Sequence, residues 1–575
     1  MPKQAVHMIV TGCFLVLSVM VSAGHSQDIS GRLEVMQKEL NRNFETLRKE
    51  KAPPYYMSYS IDSVRTQFVT GNFGAILNKA DNKSSYLRVD VRTGSYHLDS
   101  SHELRGSSTS SLLGRLSESI PVPIYESPDA LRIILWRETD KAYKNAVDSL
   151  ARVKSQQSLM VNEEDQSDDF SKIEPLTAME EPIEVSVDLD LWADRIRKYT
   201  EGFKKYPFIL SAGGSFRNEI RQKFFVNTEG TSVSVPTIYM NLQISAVAKA
   251  DDGMELPLYL SYFGFEESDF PSEDRVLADV RSMIETLDRL RTAPLVEPFT
   301  GPAILSGKAS GVFFHEILGH RLEGHRQKSE SEGQTFKKQV GKQILPEFLS
   351  VIFDPTIKEL YDYKLSGYYS FDEEGVRARK VTTVDKGILE NFLMSRSPIE
   401  NFPNSNGHAR SQPGRKPVSR QSNLIVHSDK TMSEERLRQA LIEECVKQDK
   451  DFGLIFTEIS GGQTTTGRSS PNAFNVTPLV VFRVFTDGRP DELVRGVNLI
   501  GTPLTTFGKI IATGSEVEVF NGTCGAESGS VPVSAVSPSV LVSEIEVQKK
   551  SKSQEKPPIL PPPTTTLRSI RQETK

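Results

Sequence analysis

The chain is poor in cysteine, with three in 575 residues, and poor in tryptophan, with two. So few cysteines exclude a disulfide-rich scaffold and leave a core of ordinary packing. There is no excess of positive charge, since the formal net charge is −6. A nucleic-acid-binding surface needs a basic excess or a concentrated basic stripe, so that class is set aside. No internal repeat occurs, which excludes solenoids and propellers. Beyond Ala23 no apolar run is long enough to span a bilayer.

The one long apolar run, "MIVTGCFLVLSVMVSA" (8–23), follows Lys3 and precedes the polar "GHSQDISGR". A basic start, a short apolar stretch and small residues at its end read as a cleaved signal peptide over 1–23. That reading places the mature chain outside the cytoplasm, in the periplasm, with no stable membrane span. It also removes Cys13 and leaves Cys445 and Cys524 in an oxidising compartment, where a disulfide between them is one expectation.

The length predicts two to four domains. Ile29, Leu33, Met36, Leu40, Phe44 and Leu47 recur at three- and four-residue steps and predict a helix over 28–51. Alternating runs predict strands from Met57 to about Asp99 and over 208–265, with helices at 136–155 and 189–204. The acidic stretch "NEEDQSDDFSKIEPLTAMEEP" (162–182) reads as a surface loop. Ser272 begins a capping box, and Val276, Val280, Met283, Leu287 and Leu290 stripe a helix over 272–293. "PLVEPFTGP" (294–302) reads as a linker. The second half is strand-rich, with helices near 312–324 and 432–448, and ends in a proline-rich tail that reads as disordered. The fold class expected is α+β in two domains. A mixed α/β sheet region over 28–296 precedes a strand-rich C-terminal domain over 297–548, and the tail covers 549–575.

The chemistry concentrates in "FFHEILGHRLEGHR" (313–326), which holds three of the nine histidines. A zinc-protease helix carries His-Glu-x-x-His. Here His315 and His320 are five apart, which puts them about 140° apart on a regular helix. A π-bulge would bring both to one face, and Gly319 makes such a distortion cheaper. Alternatively Glu316 and His320, four apart, share a face, and Glu323 could join them. Val312, Phe313, Phe314, Ile317 and Leu318 surround these polar groups, so burial is expected, and buried polar groups need partners.

The segment "GPAILSGKASGVFFHEILGHRLEGH" resembles the metal-binding block of the TldD/PmbA family of metalloproteases, whose signature is His-Glu-x-x-x-His. "YYSFDEEGVRARKVTTVDKGILENFL" (368–393) and "NGTCGAESGSVPV" (521–533) are similar to later blocks of that family. "GLIFTEISGG" and "GTPLTTFGKI" lie between them in the expected order. The resemblance covers about 30–548 and is strongest from 297 on.

It implies a zinc ion held by His315, His320 and Cys524, with Glu316 as general base. It implies cleavage of unfolded or leader peptides in a site enclosed by a dimer, either of two copies of this chain or with a PmbA/TldE-like subunit. Because all three ligand positions are present, the chain resembles the active TldD-type subunit. The alternative is a non-catalytic binding subunit of the same family. A third reading makes Cys524 a nucleophile with a histidine base. His408 and Arg410, in "SNGHARSQPGR", are candidates for oxyanion stabilisation or substrate binding. Family members are generally cytoplasmic, so the export signal and the proline-rich tail are departures.

Overall fold

The computed structural model describes residues 31–103, 119–123, 127–157, 165–468, 474–501, 506–550 and Leu560. The signal-peptide reading and all of the tail reading but Lys549, Lys550 and Leu560 lie outside the described residues, as do residues 502–505 within "GTPLTTFGKI". No helix among the described residues is long and apolar enough to cross a membrane.

The first half is built on one twisted sheet. Its long strands run in the order Ala75–Thr93, Pro54–Asn72, Ile209–Asn227, Ser232–Lys249, Glu255–Gly264, each antiparallel to the next. Strand alternation sorts their side chains to two faces. Met57, Tyr59, Ile61 and Val69 share one face, and the helices pack there. These are a helix over 31–47, then Pro128–Gln157, Leu189–Glu201 and Glu273–Thr292. Ser272 caps the last by accepting from the Arg275 N–H, and the predicted stripe is buried. The helix expected over 136–155 begins earlier, at Pro128.

The other face of the sheet carries buried charged groups beside an apolar patch of Phe225, Val233 and Val235. Asp62, Arg221 and Lys223 lie there and meet the second half. Arg221 pairs with Asp62 at 2.6 Å and with Glu373 at 2.7 Å. Lys223 donates to the carbonyl oxygens of Phe371 and Asp372, both at 3.1 Å. The segment read as a surface loop belongs partly to this junction. Asp165, Asp169 and Phe170 are buried, because the Phe170 ring is sandwiched between the guanidinium groups of Arg92 and Arg396, at 3.7 and 4.0 Å. Charge patterning marks solvation by default, and here paired cations override it.

The second half is a mixed sheet of twelve strands among the described residues. It begins with Phe299–Leu305, which starts inside the stretch read as a linker. That strand runs parallel to Phe452–Thr464 and antiparallel to Gly529–Lys549. The helix Glu434–Lys447 packs through Leu437, Leu441 and Cys445. The largest apolar core wraps the helix Gly307–Ile317, which carries His315 and Glu316.

Candidate metal centre

Every residue from Ala309 to Ile317 is buried. A helix apolar on all sides can only sit inside a core. Ser306 caps it, accepting from Ala309 N–H, and Glu518 accepts from Lys308 N–H at 2.9 Å. An acidic group at the N-terminus also suits the helix dipole.

The predicted π-bulge does not form. The α-helix ends at Ile317, and Gly319–Leu322 continue as a 3₁₀ turn, with Arg321 N–H bonded to the Leu318 oxygen at 2.9 Å. Ending the helix re-aims His320 as a bulge would have done. Gly319 lets the Gln421 side chain pack against this break. A Cβ there would lie 1.8 Å from Gln421 Oε1, so only glycine admits this approach. Gln421 Nε2 in turn donates to the His315 carbonyl oxygen at 3.2 Å.

The hairpin of Ile510–Ala526 and Gly529–Lys549 brings Cys524 to the same place, paired in register with Val531. Donor atoms of His315, His320 and Cys524 all lie within 4.8 Å of one another. The Cys524 Sγ to His320 Nε2 distance is 3.5 Å, and the two imidazole centroids are 5.0 Å apart. Tetrahedral zinc with bonds of about 2.0–2.3 Å sets its donors about 3.3–3.8 Å apart, so two histidines and a thiolate so placed fit that ion. Burial alone pushes the Cys524 thiol up, but His320 and His315 bring it well below its ordinary value, toward the thiolate that binds metal.

Glu316 occupies the fourth side, its carboxylate 3.9 Å from His320 Nε2. It lies against Gly462, where a Cβ would stand 2.5 Å from Glu316 Cγ. His315, Glu316, His320 and Cys524 open onto a cavity of about 600 Å³, walled by Ser460–Thr466.

Glu323 takes no place among the donors. It is fully buried, 3.4 Å from His320 Nδ1, and paired with Arg326 at 2.8 Å and Arg420 at 3.4 Å. A carboxylate on the remote nitrogen fixes the ring so that Nε2 faces the metal position. Burial alone raises the Glu323 carboxyl, but Arg326 and then His320 outweigh it and bring it down to about 2. Arg420 donates to the Cys524 carbonyl oxygen at 2.7 Å and so ties the hairpin to Glu323. Gln421 and Arg420 carried no signal in the sequence, because "VSRQSN" has neither apolar periodicity nor a motif, yet its residues Ser419–Asn423 are fully buried.

His325 lies beyond the turn, with Nε2 2.5 Å from Glu527 Oε1. His408 is not brought to this cavity. It is fully buried, with Nε2 3.2 Å from Ser422 Oγ and Nδ1 3.1 Å from Asn406 Oδ1, and burial lowers it to about 3. Arg410 opens onto a different cavity. Cys445 and Cys524 are both free and sit in separate cores, so the expected disulfide is absent.

Residues 299–549 match the family described as the PmbA/TldA metallopeptidase C-terminal domain. Over that segment, a little under half of its length, the chain is similar to the TldD/PmbA family. A metalloprotease of Archaeoglobus fulgidus is 31% identical over 262 residues, 45% of this chain and 56% of that one. The chain thus spans little more than half the length of that relative. A zinc metalloprotease TldD homolog of Saccharolobus solfataricus is 24% identical over 347 residues, 60% of this chain and 72% of that one. Among solved TldD/PmbA-like structures, TldE from Thermococcus kodakarensis has a TM-score of 0.58 at 12% identity, covering 89% of this chain and all of that one. A Thermotoga maritima chain has a TM-score of 0.58 at 15% identity, over 89% of this chain and 99% of that one. These likenesses establish the fold.

Proposed function

We propose that the chain is a zinc-dependent peptidase acting on extended peptides. The observation that carries this is the convergence of His315, His320 and Cys524 beside Glu316 in one buried, open-sided cavity. When bound, zinc supplies a Lewis acid that polarises a carbonyl and brings the pKa of water to about 7. His315 and His320 would hold it through ring nitrogens and Cys524 as thiolate. Glu316 takes the proton of the attacking water and passes it to the leaving amine. Glu323 keeps His320 in the required tautomer.

The strand Phe452–Thr464 pairs with Phe299–Leu305 only from Leu454 to Phe456. Beyond that point its edge at Ser460–Thr464 faces the cavity without a second partner strand among the described residues. An extended peptide added there would be held by main-chain hydrogen bonds with little sequence preference. Dimerisation with a second copy or a TldE-like subunit would close the cavity, and export is the compartment this reading carries forward.

A second reading has support in one distance. Cys524 Sγ stands 3.5 Å from His320 Nε2, whose other nitrogen faces Glu323, an arrangement that also suits a thiol nucleophile with an oriented base. One experiment separates the two. Hydrolysis of an unstructured fluorogenic peptide should stop in chelator and return with added zinc. Undiminished hydrolysis in chelator would refute the zinc reading and favour the thiol.

A further inference from the structure

A second cavity, of about 470 Å³, lies where the charge-bearing face of the first sheet meets the second half. It shares no lining residue with the cavity at Glu316 and touches the Cys524 hairpin only at Ser530 and Pro532. Its size is within the usual range for small-molecule sites.

The charges on its walls are unequal in one respect. Arg221 and Lys223 are neutralised by Asp62 and Glu373. Arg410 is not. It is 7% exposed, and its Nη1 donates to the Gln421 carbonyl oxygen at 2.5 Å. Its guanidinium carbon sits 4.8 Å from the Tyr369 ring centroid. Among the described residues no carboxylate pairs with it, and its remaining N–H groups have no acceptor. A buried cation held only by one carbonyl and a ring face is costly, unless a ligand completes it. Burial accordingly pulls the guanidinium below its ordinary value. Four carboxylates besides Glu373 also line the cavity: Glu180 and Glu181 are exposed to solvent, Glu219 is paired with Arg217, and Asp372 accepts from backbone N–H groups, while much of the remaining wall is aromatic. Tyr239, Phe265 and Tyr368 line it, and the Lys358 ammonium lies 4.8 Å from the Tyr368 ring centroid.

We propose that this cavity is a carboxylate-binding site, in which the open N–H groups of Arg410 hold the anion and Tyr368 and Phe265 face an apolar or aromatic body. A guanidinium offers two parallel donors that match the two oxygens of a carboxylate. The carboxylate is either the free C-terminus of a short peptide or a small organic acid. The site stands apart from the zinc reading and does not depend on it.

The test is calorimetric titration of the full chain after exhaustive dialysis against chelator, which removes metal as a competing anion site. The probes are the dipeptide Ala-Phe and phenylacetate, each beside its carboxamide. At least one acid should bind at least tenfold more tightly than its amide. Binding of the dipeptide alone assigns the site to peptide C-termini, and of phenylacetate alone to free acids. Arg410→Gln should abolish the preference. Thr237→Trp, on the cavity wall with Arg410 intact, should abolish binding, so the test stands even if the arginine variant fails to fold. Equal binding of acid and amide, no binding of either acid at millimolar concentration, unchanged binding in both variants, or binding only after metal is restored would overturn the proposal.

Discussion

Glu316 and Glu323 are both buried carboxylates within 4 Å of the His320 ring, yet their surroundings give them different tasks. Glu323 is enclosed by Arg326 and Arg420, whereas Glu316 faces the cavity. Glu316→Gln should therefore lower peptide hydrolysis by about 10²–10⁴-fold, the usual worth of a general base, with metal content unchanged. Parallel kinetic and elemental measurements check this, and loss of metal in the variant would make Glu316 a ligand. Glu323→Gln should do the reverse, weakening metal binding about 10–100-fold and destabilising the fold by about 3–5 kcal/mol by leaving buried cations unpaired. Competition with a zinc chelator and denaturant unfolding read the two effects. His315, Glu316 and His320 stood out because one short segment concentrates rare residue types, whereas Cys524 entered only through the family resemblance. Arg420 and Gln421 were not legible, since an arginine and a glutamine in a polar run look solvated until the fold buries them.

The element that sets the site is the break after Ile317. The five-residue spacing of His315 and His320 required a departure from a regular helix, and that much was legible. Its form was not, because the side chain packed against it, Gln421, comes from about a hundred residues downstream. Gly319→Ala should cost about 1–3 kcal/mol through overpacking against Gln421 and should weaken metal binding as the turn shifts. Thermal unfolding with and without zinc would show it, and wild-type behaviour in both would remove that packing as a support of the turn. Gly462→Ala acts on the facing strand and meets only Glu316. It should reduce kcat while leaving metal content intact. The helices were legible from their apolar stripes and from the Ser272 cap. The strand Phe299–Leu305 was hidden by Pro and Gly in a stretch that punctuates like a linker.

At the scale of the whole molecule, two sheets meet through a buried charge cluster as well as through apolar contacts, Phe371 on Phe225, Val233 and Val235, and Val480 and Leu493 in the core of the first half. Asp62, Arg221, Lys223 and Glu373 form that cluster. Periodicity reveals apolar faces, so a charge cluster of this kind left no trace in the sequence. Burial alone raises the Glu373 carboxyl, but Arg221 and Lys223 outweigh it and bring it from 4.5 to about 2. A carboxyl lowered in the folded state stabilises fully above its unfolded value, and the contribution is lost as pH falls through the folded one. Glu373→Gln should therefore cost about 3–5 kcal/mol at neutral pH, with the gap to wild type narrowing as pH falls from 4.5 toward 2. Denaturant unfolding across that range checks the sign, and a gap that widens in acid would contradict it. The central claim is a metal centre assembled from both ends of the second half. It is tested most directly by elemental analysis of the purified chain beside Cys524→Ala. Near one zinc per wild-type chain, lost in the variant, is the expected result. Little zinc in the wild type, and none taken up when zinc is added, would contradict it.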